Sequence, residues 1–202
     1  MIIFTLFALV TLLVALGVIW WRYTRSPVIL SPDRALFING KYVWSQERVK
    51  EAWEKFWPEL ERLLKKGSRK IVVLQGPPAS GKSTWLRDNA ANLSGCIVLD
   101  ATFTGLWYFK RMAKRAGESG HQHTFRVIRF RTPYKTRLGL DQNRADDPTS
   151  GRDEVVPLNI HQNMEKQNSN LTDAMIKEVL SGCEIVEIQF VDNTSDGGAK
   201  AD

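Results

Sequence analysis

Ile71-Val72-Val73-Leu74-Gln75-Gly76-Pro77-Pro78-Ala79-Ser80-Gly81-Lys82-Ser83-Thr84 is the stretch whose reading decides the fold. It reads as strand, glycine-rich loop and helix, and it matches G-x-x-x-x-G-K-[ST], the phosphate-binding P-loop pattern. Ile71 to Leu74 form an unbroken apolar run, as expected of a strand buried on both faces of a parallel sheet. Gly76 and Gly81 lack a Cβ, so the backbone there can take positive φ and approach a phosphate closely. Successive backbone N–H groups then make a concave anion site, reinforced by the positive end of a helix starting near Lys82. Lys82 is expected to reach the β- and γ-phosphates, and the Ser83 hydroxyl to hold Mg²⁺. The expected phosphate-binding set is Gly76, Pro77, Pro78, Ala79, Ser80, Gly81, Lys82, Ser83 and Thr84.

Downstream of this stretch, a helix is expected from Lys82 to about Ala91, then a second apolar strand, Gly95-Cys-Ile-Val-Leu-Asp100. Strand C-termini in a parallel sheet share an edge with the P-loop, which should bring Asp100 towards the phosphates. Asp100 has two open roles, base for an attacking hydroxyl or Mg²⁺ ligand through water. A turn at 101–105 leads to a helix from Leu106 to Ala116. Phe125 to Arg131 reads as a third strand, at an edge or half exposed, because Arg126, Arg129 and Arg131 alternate with apolar residues. Between Leu106 and Arg137 the one acidic residue is Glu118. That basic stretch either guides a polyanion or is a solvated face. His121 and His123 lie in a loop with no carboxylate or cysteine nearby, which argues against a metal.

Pro133 to Gly151 is polar and reads as a helix running into a mobile loop, with Val155-Val-Pro157 opening another helix. Arginines that close over bound phosphates as a lid neutralise transferring phosphate and exclude water, and Arg144 and Arg152 are the candidates. Asn170 to Leu180 reads as helix and Cys183 to Val191 as a last strand of period two. The tail, 192–202, has a disordered composition.

Upstream, Ile2 to Trp21 carries no charge and is about 30 Å long as a helix, the thickness of a bilayer core. Trp20, Trp21 and Tyr23 would form an interfacial belt, with Arg22 and Arg25 beyond. The rival reading is a signal peptide, but a basic n-region and a small-residue cleavage site are missing. The expectation is a single-pass anchor (1–23) in the lipid bilayer, with the C-terminal part in the cytoplasm. Residues 24–34 read as a proline-bearing linker, and Asn39-Gly40 between apolar residues as a hairpin turn. Ser45 caps a helix whose stripe is Val49, Trp53, Phe56, Trp57, Leu60, Leu63 and Leu64. Pro58 should kink or restart it. That helix covers the sheet or lies on a membrane or partner. Domains are thus 1–23, 24–68, a P-loop domain at 69–191, and the tail.

The chain has 202 residues and a net charge of +6, which favours anionic partners without choosing among nucleotides, nucleic acid and lipid headgroups. Cys96 and Cys183 sit in apolar runs and are expected to be free thiols. No N-K-x-D guanine motif occurs.

From about Ile71 to Val191 the chain resembles the P-loop kinase group that includes polynucleotide 5′-kinases and zeta toxins. The resemblance rests on G-P-P-A-S-G-K-S-T-W (76–85), V-L-D-A-T-F (98–103), A-K-R-A-G (113–117) and D-Q-N-R…V-V-P (141–157). It implies an α/β P-loop NTPase fold, three layers around a parallel sheet, preceded here by the transmembrane helix. It implies ATP with Mg²⁺ as donor and a hydroxyl acceptor, either a nucleic-acid 5′-OH or a nucleotide sugar. It carries Gly76, Gly81, Lys82 and Ser83 over to ATP and Arg144 to the lid. Two departures stand out. One strand, not two, lies between the P-loop helix and Phe125, so Asp100 does two jobs or a base is missing. Leu140 stands where the group often has a second lid arginine, a place Arg137 or Arg152 would have to fill. The alternative function is a membrane-tethered ATP-binding switch or scaffold with little transfer.

Overall fold

The computed structural model describes residues 11, 12, 14, 17, 26–147 and 156–192. Its centre is a five-stranded, wholly parallel sheet formed by β1 (Val28–Leu30), β4 (Lys70–Gln75), β5 (Ile97–Asp100), β6 (Thr124–Arg131) and β7 (Glu184–Asp192). The spatial order is β1-β5-β4-β6-β7. A separate antiparallel pair, β2 (Phe37–Ile38) and β3 (Lys41–Tyr42), turns at Asn39 (φ 51°) and Gly40 (φ 81°). Both turn residues have the positive φ that a two-residue hairpin of native twist demands.

The alternation of side chains along each strand builds two cores, one on each face of the sheet. Ile71, Val73, Ile97, Leu99, Phe125 and Val127 face one way. They are covered by α1 (Gln46–Leu64), α3 (Leu106–Glu118) and α6 (Asp173–Val179), through Trp57, Leu60, Phe109, Met112 and Ile176. Val72, Leu74, Val98, Ile128 and Phe130 face the other way, against Trp85 and Leu86 of α2 (Lys82–Asn89). Two more helices, α4 (Tyr134–Asp146) and α5 (Leu158–Asn170), lie in sequence on either side of the undescribed stretch 148–155.

Five expectations change. Residues 28–30 are not linker: they form a sheet strand, in register with Ile97, Val98 and Leu99. Of the two outcomes expected at Pro58, a kink or a restart, the restart does not occur: α1 runs unbroken from Gln46 to Leu64. Proline removes one N–H and crowds the preceding turn. Here the turns around it are clamped by Phe56, Trp57 and Leu60, each at most 5% exposed. The helix therefore covers the sheet, as the first of the two readings had it.

The remaining changes concern the membrane. Among the described residues no helix is long and apolar enough to cross a bilayer. The longest, α1, carries charges through its whole length, including Glu47, Lys50, Glu54, Glu59 and Arg62. The expected span at 2–21 lies outside the described residues except for Thr11, Leu12, Val14 and Gly17. The preceding transmembrane helix, the bilayer as partner and the single-pass localisation are accordingly withdrawn. The expected tail beyond Asp192 also lies outside the described residues.

Candidate functional site

The order of strands places the site. After β4 the chain moves to one neighbour, β5, and then crosses to the other, β6. The carboxyl end of β4 is therefore a topological switch point, where loops diverge and leave a crevice. The loop Gly76–Gly81 fills that position and runs into α2. Gly81, at φ 92°, is the N-cap of α2, so its lack of a Cβ allows the turn. Gly76 needs no positive φ, contrary to the expectation. Its constraint is steric: a Cβ there would lie 2.8 Å from Ser80 Oγ and 3.0 Å from Phe130 Cβ. Ala79 takes the second left-handed position, at φ 57°. The loop is held on both sides. Gly76 N–H donates to Thr102 O at 3.1 Å, and Thr132 Oγ1 donates to Ser80 O at 3.1 Å.

Lys82 is folded back under this loop. Its Nζ donates to Gly76 O and Pro77 O, both at 2.8 Å, and it is 8% exposed. Burial lowers its pKa to about 8, against the opposing pull of Asp100 and then Asp33. A lysine in that state is charged at pH 7 but poised to lose its proton a unit or so higher. Burial also raises the Asp100 carboxyl above its usual range, with Lys82 and Arg34 opposing.

One cleft gathers most of the expected set. Pro78 to Ser83, Asp100 and Arg144 all line it. Gly76 and Pro77 contribute carbonyls to Lys82 instead, and Thr84 is exposed outside it. Arg152 lies outside the described residues. Arg137 is not a lid arginine: it is fully buried, donates from Nε to Thr132 O at 3.0 Å and pairs through Nη2 with Glu165. Asp141, the first residue of the D-Q-N-R run, is structural too. It accepts from Val156 N–H at 2.9 Å and lies 3.2 Å from His161 Nε2, tying α4 to α5.

Two features of the cleft escaped the sequence. The first is Asp33, in the turn of 3₁₀ helix Pro32–Leu36 just after β1. The second is an aromatic wall: Tyr42, Trp44, Trp53 and Tyr108. Trp53 and Tyr108 have ring centroids 4.8 Å apart. Tyr108 also stacks at 3.7 Å on Trp107, which is about half exposed.

The basic stretch is largely committed elsewhere. Arg111 and Arg115 lie over the Trp57 ring, at 4.6 and 5.2 Å, and Lys114 pairs with Glu118. Arg126 pairs with Glu187, and Arg129 with Asp173, Gln75 and the Leu171 carbonyl. None of these lines the cleft.

Among the described residues no group of three His, Cys, Asp or Glu side chains could hold a metal unaided. A hard cation arriving with a polyphosphate needs fewer protein ligands, because Mg²⁺ keeps waters and phosphate oxygens. Ser83 and Asp100, both oxygen donors on the same cleft as Lys82, suit that role. Cys96 is buried and Cys183 half-buried, and both thiols are free.

No family model matches the chain, and no curated protein matches it significantly. The likeness to the polynucleotide 5′-kinase and zeta toxin group, drawn from short motifs, is therefore not retained as a family assignment. What stands is an α/β fold with a parallel sheet.

Proposed function

We propose that the chain is an ATP-dependent phosphotransferase that moves a γ-phosphoryl group to a hydroxyl. The observation that carries the reading is the shared cleft: a glycine-bounded loop at a helix N-terminus, Lys82, Ser83, Asp100 and Arg144 around one space. Backbone amides and the helix end attract a polyphosphate. Lys82 leaves its two carbonyl partners and takes phosphate oxygens in their place. Ser83 and Asp100 would hold Mg²⁺, which supplies charge neutralisation between the phosphates. Arg144 adds positive charge from the last turn of α4. Acceptors bearing a nucleobase suit the aromatic wall, because planar rings stack on tyrosine and tryptophan. A nucleic-acid 5′-OH and a nucleotide sugar both qualify.

A second reading is an ATP-binding switch without transfer. The observation in its favour is that Lys82 is already satisfied by Gly76 O and Pro77 O. Incubation of the full-length chain with γ-labelled ATP, Mg²⁺, 5′-OH oligonucleotides and nucleotide sugars separates the two. Label on an acceptor, lost in Lys82→Ala and Asp100→Asn, supports transfer. Binding of ATP with no acceptor labelled supports the switch.

A further inference from the structure

The phosphotransfer reading leaves one acid with two tasks, since a single strand-end carboxylate was legible. We propose that Asp33 is the acceptor-side base, which leaves Asp100 free to serve the metal with Ser83. This rests on the phosphotransfer reading.

The argument starts from strand pairing. β1 runs parallel to β5 with Leu30 opposite Leu99, so the residues after Leu30 emerge at the same sheet edge as Asp100. The next turn, Pro32–Leu36, carries Asp33 into the cleft. The upstream segment thus supplies the cleft with a second carboxylate, whereas Asp192, at the end of β7, does not line it.

The two acids differ in their surroundings. In the sheet β5 lies beside β4 and β1 beyond it, so Asp100 ends the strand next to the phosphate loop and Asp33 follows the strand one further out. Asp33 acts on Lys82 more weakly and also acts on Tyr108, a member of the aromatic wall. Leu36, three residues on, and Tyr42 of the hairpin continue that wall. Asp33 lines the cleft from the β1 side, with Leu36 and Tyr42 of the wall, where an acceptor held by that wall would reach it. The charged or titratable groups that line the cleft with Asp33 are Tyr42, Lys82, Asp100, Tyr108 and Arg144. Of these only Asp100 is a carboxylate, and Tyr108 stays neutral because burial pushes its pKa up to about 12.

In the step itself, the acceptor O–H bond breaks and its proton passes to an Asp33 carboxylate oxygen. The acceptor oxygen forms a bond to the γ-phosphorus. The bond from that phosphorus to the bridging oxygen breaks, and its electron pair leaves with ADP. The proton is released to solvent afterwards, so atoms and charge balance.

The test compares full-length wild type, Asp33→Asn and Asp33→Glu. It measures ATP hydrolysis and label transfer to a 5′-OH oligonucleotide and to a uridine diphosphate sugar, with ATP affinity determined in parallel. A positioned base accounts for about 10²- to 10⁴-fold in rate. Asp33→Asn should lose kcat by that factor while ATP affinity stays within about twofold, and Asp33→Glu should recover part of the loss. Wild-type turnover retained in Asp33→Asn overturns the assignment and leaves phosphotransfer standing. Loss of ATP affinity along with rate also overturns it, since Asp33 would then be shaping the cleft. Absence of both transfer and hydrolysis in wild type removes the phosphotransfer reading, and this assignment with it.

Discussion

Nucleotide binding should draw a proton from solvent at alkaline pH, and the source of that proton demand is Lys82. In the free protein its pKa is lowered to about 8, because burial costs the charged form more than Asp100 and Asp33 return. At pH 9 about one molecule in eleven then carries a charged Lys82. A polyphosphate brings several negative charges beside the ammonium and restores its ordinary value, near 10.5. Binding at pH 9 should therefore take up about 0.9 proton, and at pH 7 about 0.1. The same linkage weakens ATP binding roughly tenfold between pH 7 and pH 9. The assay is titration calorimetry at pH 9 in two buffers of different ionisation enthalpy. Lys82→Met serves as the control, and it should show little or no uptake. For the free protein the sign runs the other way. The unfolded chain keeps the lysine proton up to about pH 10.5 while the folded chain loses it near 8. Wild-type stability should rise across that window relative to Lys82→Met. Equal proton uptake by wild type and Lys82→Met at pH 9 would refute the reasoning.

Three substitutions test the scaffold by urea unfolding. Gly76→Ala forces a Cβ to within 3.0 Å of Phe130 Cβ and closer still to Ser80 Oγ, and should cost about 1–3 kcal/mol. Asp173→Ala leaves buried Arg129 with only Gln75 and the Leu171 carbonyl. Asp173 is itself about a third exposed, so the loss belongs at the lower end for a broken buried pair, about 3 kcal/mol. Ser45→Ala removes the side-chain acceptor of Arg48 N–H at the head of α1 and should cost about 1 kcal/mol.

What the sequence made legible was whatever local pattern dictates. The runs Ile71–Leu74 and Ile97–Leu99 are apolar at every position because both faces of each strand are buried, and no other environment suits them as well. The loop signature gave the turn, and the turn gave the position of Asp100. β1 was hidden because Val28, Ile29 and Leu30 are too few to display a period and stand between two prolines. With β1 went Asp33, whose place depends on a strand pairing about 70 residues away. The one available signal was three branched or apolar residues followed by a proline-opened turn. Arg137 misled for the same reason. Its spacing suits a lid, but its fate was decided by Glu165 on another helix and by the Thr132 carbonyl. The basic stretch read as a charge surface, yet most of its arginines are absorbed by Trp57, Glu187 and Asp173, contacts that spacing alone does not reveal.

Equilibrium dialysis of the full-length chain against labelled ATP with Mg²⁺ addresses the central claim directly. The account predicts saturable binding of one nucleotide per chain, weakened about tenfold or more in Lys82→Ala. Absence of binding by wild type, or the same affinity in Lys82→Ala, would contradict it.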